Sequence, residues 1–454
     1  MELLTVLFAS AKGHGCVDST EVGSKYVKST IESQGFGLGR AAVAALGVSM
    51  VANHRLPELE CTHMSTNRPF LFRLDRPLTR NAFTTYHTEL ARLQGNILKP
   101  HGRDAEVHLF LTFKRRKQAE AKLFLRELAS KITSADDQRA QTLRHYRSHG
   151  SELFVAVCLS SKGYRYLGLP TAGFSAEFRH GMKEATARLS DPPPSQWEPP
   201  FQKDLHAMVL LAHDGVTELV RELALLRDQA GRFAEVSTEL GIKMCDGAGR
   251  PIEHFGYVDG RSQPQFFRKD VKKDSLNGHY PLRWDPSAGP NLVLTEVSLG
   301  DDRSDWGSYY VFRKLEQNVR RFKEHERHLA GALKFTGARR ELAGAMVVGR
   351  FEDGTPVALN EEPARTRKRG RSTNDFAYPH NDPEGSKCPF FAHIRKTNPR
   401  GDPNGETLEQ QKSHRIARRG MPYGDPTPPG DALDPLGGPE VHKPVKFHGA
   451  VNCA

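Results

Sequence analysis

The feature that most constrains the fold is a recurring order of apolar segments. Glu106–Phe113 alternates and then runs apolar, as a strand does, and Gln118–Leu128 has apolar residues at helical spacing. A strand, a helix and a shorter strand follow at His206–Ala212, Val216–Asp228 and Phe233–Ser237. No glycine-rich phosphate loop joins these strands to helices. The pattern therefore predicts an α+β sandwich rather than a nucleotide-binding sheet.

A similar order returns in the second part of the chain. Ser308–Arg313 predicts a strand, Leu315–Leu329 an amphipathic helix and Glu341–Val348 a second, short helix. Glu352–Gly385 is predominantly polar and predicts a long loop. We therefore expect two similar α+β halves, although no clean internal repeat is visible.

Length and composition narrow the class of protein. The 454 residues suffice for two ordinary domains or one double domain. No run of about 18 apolar residues occurs, which argues against a transmembrane helix. The apolar stretch Leu3–Ala9 is short and lacks a basic flank, so we expect no signal peptide. The six cysteines have no paired spacing, and we expect reduced thiols and a cytoplasmic address.

The chain is basic, with a net charge of +11. Its densest basic cluster, Arg365–Arg371, has no interleaved aromatic residues for base stacking. A solvated loop is therefore favoured over a nuclear address or an anionic partner, and no nucleic-acid partner is expected.

Five motifs carry the chemistry. They are Leu93–Arg103 (LQGNILKPHGR), Gly256–Gly260 (GYVDG), Gly307–Asn318 (GSYYVFRKLEQN), Cys388–Arg400 (CPFFAHIRKTNPR) and Ile416–Gly424 (IARRGMPYG). In this order they resemble the motifs of the dye-decolourising (DyP-type) haem peroxidase family. The resemblance implies a duplicated ferredoxin-like fold of the dimeric α/β barrel type, with antiparallel sheets, peripheral helices and haem b in the second half.

The resemblance also implies a division of the chain. Residues 89–255 would form the first ferredoxin-like half and residues 256–424 the haem-binding half. Residues 1–88 would be an irregular extension, and residues 425–454 a tail rich in proline and glycine. The family's C-terminal strand, helix and histidine-tuning carboxylate have no match in that tail, so we expect an exposed sheet edge.

Within the resemblance, His393 occupies the position of the axial haem ligand, because an imidazole nitrogen can bind ferric haem on one face. His380 and His414 are its main competitors by sequence proximity, but neither stands at the ligand position of the motif. A lone histidine outside such a motif would more often be structural or exposed.

Two residues match the family's distal groups. Asp259 would transfer protons between the two peroxide oxygens, whereas the alternative is an ordinary Asp-Gly turn. Arg418 would hold peroxide and stabilise charge as its O–O bond breaks, whereas the alternative is a surface pair with Arg419. On a strand only one of these two arginines would point inward.

Three further arginines, Arg261, Arg395 and Arg400, are candidates to neutralise the haem propionates, and each could instead form a surface ion pair. The predicted function is a haem peroxidase that uses hydrogen peroxide to oxidise phenolic or dye-like donors in one-electron steps. A homo-oligomer is possible. The alternative is a truncated or degenerate family member that binds haem without turnover.

Overall fold

The computed structural model describes residues 45–51, 73–79, 81–148, 150–258, 262–276, 283–300, 303–364, 374–424 and 445–452. The strands in these ranges are β1 (Ala45–Val51), β2 (Ala105–Phe113), β3 (Phe154–Ser160), β4 (Ala207–His213), β5 (Ala234–Ile242), β6 (Met244–Cys245), β7 (Pro251–Ile252), β8 (Thr295–Gly300), β9 (Arg303–Gln317), β10 (Ala417–Arg418), β11 (Met421–Tyr423) and β12 (Val445–Asn452).

The helices in the same ranges are α1 (Ala82–Thr85), α2 (His87–Arg92), α3 (Gln118–Ala129), α4 (Ala135–Ser148), α5 (Ser161–Tyr166), α6 (Ala176–His180), α7 (Thr186–Leu189), α8 (Pro199–Gln202), α9 (Val216–Gly231), α10 (Arg268–Leu276), α11 (Val319–Ala332), α12 (Arg340–Val348), α13 (Tyr378–Asn381), α14 (His393–Thr397) and α15 (Leu408–Ser413). None of them is long and apolar enough to span a bilayer.

The first half has the predicted ferredoxin-like arrangement. Its four strands lie in the antiparallel order β3-β4-β2-β5, and α3 and α9 connect them. Alternate residues of β2 point to opposite faces. Leu109 packs in the apolar cluster that contains Phe124 of α3 and Leu219 of α9, whereas Phe110 packs against Phe312 of β9. The first sheet is therefore buried on both faces.

The second half is built around β9, which has a strand on each side. β12 pairs with β9 and also with β10 and β11, and β1 pairs with the other edge of β9 and with β3. Both strands come from the end segments 1–88 and 425–454, in which the sequence predicted no strand. The edge of β9 that we expected to be exposed is therefore covered, because these strands satisfy its backbone hydrogen-bonding groups.

Two further expectations differ from the structure. The helix predicted from Leu315 begins at Val319, because Leu315 still belongs to β9 and pairs with β12. Asn318 caps the helix, and its side chain accepts a hydrogen bond from the backbone N–H of Arg321. Cys245 is disulfide-bonded, whereas the sequence predicted a reduced thiol; Cys158 and Cys388 are free and buried.

Candidate active site

His393 is the first residue of α14 and is buried, with 8 % of its surface exposed. The turn before it is closed by a hydrogen bond from Ala392 N to Pro389 O, and the Thr397 hydroxyl donates to His393 O. Its two competitors differ in exposure. His380 is exposed, and the His414 side chain is 66 % exposed beside Glu406. Burial thus distinguishes His393 from both.

Arg395, which lies in the same helix as His393, ties this helix to the segments before and after it. Its guanidinium makes five hydrogen bonds, two with the Asp402 carboxylate, one each with the carboxylate and carbonyl oxygens of Asp382, and one with Cys388 O. An arginine has five N–H groups, so protein acceptors engage all of them. Arg395 therefore stabilises the segment around His393 and has no N–H group left to bind an anion.

The turn after α12 lies close to the His393 helix and to the GYVDG segment. Gly349 has a φ of +96°, and a Cβ there would lie 2.3 Å from Cγ1 of Ile394, the neighbour of His393. Three residues later, Glu352 O accepts a hydrogen bond of 2.8 Å from Val258 N. This one turn therefore joins the His393 helix to the GYVDG segment.

Asp259 and Arg261 lie outside the described residues, as does the basic cluster 365–371. The residues that flank the first two, Val258 and Ser262, are described and are both partly buried.

Two hydrogen bonds join the segment around Asp259 to the strands that carry Arg418. Before Asp259, the Nε2–H of His254 donates to Tyr423 O over 3.0 Å. After it, the Oε1 atom of Gln263 accepts a 2.9 Å hydrogen bond from Arg418 N. The structure thus brings together two motifs that are about 160 residues apart in the sequence.

Arg418 and Arg419 differ sharply in their surroundings. The Arg419 guanidinium is buried and donates to Asn96 O, Ile97 O and Arg418 O. Burial lowers its pKa to about 10. Arg418 is only partly buried, and its backbone lies in β10. Arg419 therefore anchors the opening motif of the first half, and Arg418 is the better candidate for a distal arginine.

Arg400 is a buried cation whose hydrogen bonds within the described part of the chain go to uncharged acceptors. Its guanidinium donates to Asn374 O, Asn374 Oδ1 and Phe376 O, and it stacks 3.9 Å from the Phe376 ring centroid. Burial, and then the nearby Arg350 guanidinium, lower the pKa of Arg400 to about 9. A negatively charged group bound nearby would offset the cost of this buried charge.

Sequence reasoning missed several residues that support the site. Asp382 lies before the CPFFAHIRKTNPR segment and Asp402 lies after it, and Glu253 precedes GYVDG. Each of the three is buried. Acidic residues beside the motifs were a visible signal, but their partners become apparent only in the folded chain.

Comparisons with known proteins agree on one family. The model of the DyP dimeric alpha+beta barrel domain matches residues 92–251. The multifunctional dye peroxidase DyP2 of an Amycolatopsis species is 43 % identical over 344 residues, which are 74 % of this chain and 72 % of that protein. The chain belongs to the DyP-type peroxidase family.

More distant relatives and solved structures support the assignment. A dye-decolorizing peroxidase of Mycetinis scorodonius is 29 % identical over 74 % of this chain and 64 % of its own length. The crystal structure of a DyP-type peroxidase of an Anabaena species superposes with a TM-score of 0.74 at 37 % identity, covering 83 % of this chain and 80 % of that one. The duplicated α+β fold is therefore confirmed, and this DyP-type peroxidase is a member of a haem-dependent, peroxide-using family.

Proposed function

We propose that this DyP-type peroxidase uses hydrogen peroxide to oxidise phenolic or dye-like donors in one-electron steps, with haem b as its cofactor. The observation that carries the proposal is a pair of hydrogen bonds, His254–Tyr423 and Gln263–Arg418, which tie the described residues on either side of Asp259 to β11 and β10. The names of the Amycolatopsis and Mycetinis relatives support the dye-like donor class.

The residues of the site fit a haem. His393 offers a buried imidazole as a fifth ligand, and Asn398, five residues on, has a buried Nδ2 with no acceptor among the described residues. Arg400 offers a buried cation for a propionate, and Arg261 is a second candidate; the five protein contacts of Arg395 favour a supporting role for it. Haem, when bound, would supply the redox centre that peroxide oxidises and donors reduce.

Asp259 would move the proton. Its carboxylate would accept the proton of the peroxide oxygen that binds first and return it to the departing oxygen, which leaves as water. A carboxylate performs this transfer best when it is ionised, so it suits mildly acidic conditions better than a histidine would.

Arg418 would hold peroxide in place. Its guanidinium remains charged at any working pH and donates several hydrogen bonds in a fixed plane. Such a donor stabilises the negative charge that develops on oxygen as the O–O bond breaks. The backbone bond from Arg418 N to Gln263 fixes the strand from which this side chain projects.

The degenerate alternative rests on the unmatched strand, helix and histidine-tuning carboxylate of the family's C-terminus, and of these β12 supplies a strand, paired with β9. The oligomeric state and the cytoplasmic address remain predictions. The disulfide bond of Cys245 is more typical of an oxidising compartment than of the cytoplasm.

The test compares four variants after reconstitution with haemin. Asp259→Asn and Arg418→Ala should keep their haem but react with hydrogen peroxide about 10²–10⁴-fold more slowly in stopped-flow measurements. His393→Ala should lose the axial bond, visible as an altered absorption spectrum, whereas His414→Ala, at an exposed site, should behave as the wild type. A wild-type rate in both distal variants, or a wild-type spectrum in His393→Ala, would contradict the assignment.

A further inference from the structure

Glu253 is a buried carboxylate that folds back over its own turn. It is 1 % exposed. Its Oε2 accepts hydrogen bonds from Phe255 N and from the side chain of Gln317, and its Oε1 accepts from Tyr257 N. The backbone closes the same turn, since Glu253 N donates to Tyr257 O and Gly256 N donates to Glu253 O.

Two features of the Glu253 environment are energetically unfavourable. Burial raises the pKa of Glu253 to about 7, against the three hydrogen bonds that lower it. The Oε1 of Gln317 is itself buried and has no partner among the described residues. A buried ion and an unsatisfied amide oxygen are both unfavourable, and neither is needed to fill space. The Glu253 carboxylate and the Gln317 amide therefore act on the conformation of the turn 253–257.

The residues between and after these contacts are also anchored. His254 is bonded to Tyr423 O at the end of β11, and Val258 N is bonded to Glu352 O. Val258 directly precedes Asp259. The residue before Asp259 is therefore held by a backbone hydrogen bond. The same turn is also tied to β11, the strand that follows Arg418.

Tyr257 anchors the outer side of the turn. Its hydroxyl donates to Glu326 of α11 over 2.5 Å, and Glu326 also pairs with the buried Lys323. A Cβ on Gly344 of α12 would lie 2.0 Å from the Glu326 carboxylate and 2.4 Å from the Tyr257 hydroxyl, so only glycine lets α12 approach this pair.

We propose that Glu253 is a positioning residue for Asp259, because its carboxylate fixes the turn 253–257 that leads into Val258, the residue directly before Asp259. This inference rests on the proposed role of Asp259. Glu253 itself would exchange no proton with peroxide. It would act by restricting the backbone, and an error of about 1 Å in the placement of a catalytic group can cost about 10²-fold in rate.

The first readout needs neither haem nor activity. In Glu253→Gln the side chain keeps one acceptor oxygen, and its NH₂ faces a backbone N–H donor. We expect the amides of Phe255 and Tyr257 to exchange with deuterium at least about tenfold faster in the haem-free variant than in the haem-free wild type. Gln317→Met is a milder second variant, which removes the anchor on β9 and the unsatisfied oxygen but leaves the carboxylate. It should speed exchange in the same direction by a smaller factor.

The second readout is a double-mutant cycle on the rate of reaction with peroxide. Glu253→Gln should retain haem and react about 10–100-fold more slowly. If Glu253 acts through Asp259, the double variant Glu253→Gln/Asp259→Asn should react no more slowly than Asp259→Asn alone. Leu109→Ala, in the apolar core of the first half, is the control for general destabilisation, and its rate per bound haem should stay within about twofold of the wild type. It should speed amide exchange in β2 as much as in the turn, whereas Glu253→Gln should speed exchange mainly at Phe255 and Tyr257.

The outcomes separate this inference from the proposed function. Unchanged exchange in Glu253→Gln, or rate losses that multiply in the double variant, would overturn the positioning role while leaving Asp259 in place. A wild-type rate in Asp259→Asn would instead refute the proposed function, and the positioning role would fall with it.

Discussion

The first half and the segment 374–424 differ in what fills their interiors. Between the first sheet and its helices, buried side chains such as Leu109, Val209 and Leu219 form a continuous apolar cluster. In the segment 374–424 much of the buried volume is ionic or polar, and Arg395, Asp382 and Asp402 are almost inaccessible to solvent. Apolar packing tolerates replacement by other apolar groups, whereas a buried ionic network needs every partner in place.

The difference matches the secondary structure of each region. The strands and helices of the first half are regular, with α3, α4 and α9 each of 12 to 16 residues. The segment 374–424 has only short helices, of four to six residues, between long irregular connections. Beside the apolar cluster that contains Phe376 and Tyr378, the charged side chains of Arg395, Asp382 and Asp402 fix the backbone around His393.

The largest expected effect is in the ionic network. Arg395→Met removes five hydrogen bonds and leaves two buried carboxylates without their cation. We expect a loss of about 3–5 kcal/mol in the free energy of unfolding and weaker haem binding, measured by urea unfolding and haemin titration. The matched control is Arg144→Met, which breaks the exposed pair with Glu152 and should leave the free energy of unfolding nearly unchanged. Equal losses in the two variants would mean that the buried network contributes no more to the free energy of unfolding than the exposed ion pair does.

A somewhat smaller effect is expected in the apolar region. Leu109→Ala leaves a cavity between β2 and its covering helices and should cost about 2–5 kcal/mol, with the lower part of that range expected if the helices close in. Because this cluster lies on the face of the first sheet away from β9, the rate with peroxide per bound haem should stay within about twofold of the wild type. A large loss of rate at full haem occupancy would show that the two halves are more tightly coupled than their different interiors indicate.

The same contrast explains what could be predicted from the sequence. The first half was predictable because periodic apolar residues in β2, α3 and α9 correspond to the faces that they bury. Motif resemblance singled out His393 as the candidate ligand, and the structure buries it, although no periodicity marks its helix. The pairing of β1 and β12 with β9 was not predictable, since it joins backbone groups more than 100 residues apart through short segments. The five contacts of Arg395 were equally hidden, because a sequence does not reveal which acceptors surround a donor.

The smallest expected effect is a pH dependence of stability, which a change at Glu253 should alter and a change in the apolar core should not. The pKa of Glu253 lies near 7 in the folded chain and near its ordinary 4.5 when unfolded, so the folded state holds more protons between these values. The stability of the wild type relative to Glu253→Gln should therefore fall as pH rises from 4.5 to 7, by at most about 3 kcal/mol. Below 4.5 both states are protonated and above 7 neither is, so the difference should level off outside this window.

Urea unfolding of the two haem-free proteins at several pH values measures this difference directly, because the titrations that they share cancel. The pair Leu109→Ala and wild type provides the comparison, since no carboxylate changes there and the two curves should run parallel. Parallel curves for Glu253→Gln as well would mean that the carboxylate keeps an ordinary pKa and is open to water. In that case the turn before Asp259 would be held by its backbone bonds and by Tyr257 and His254, and the contrast between the two regions would narrow to the network around Arg395.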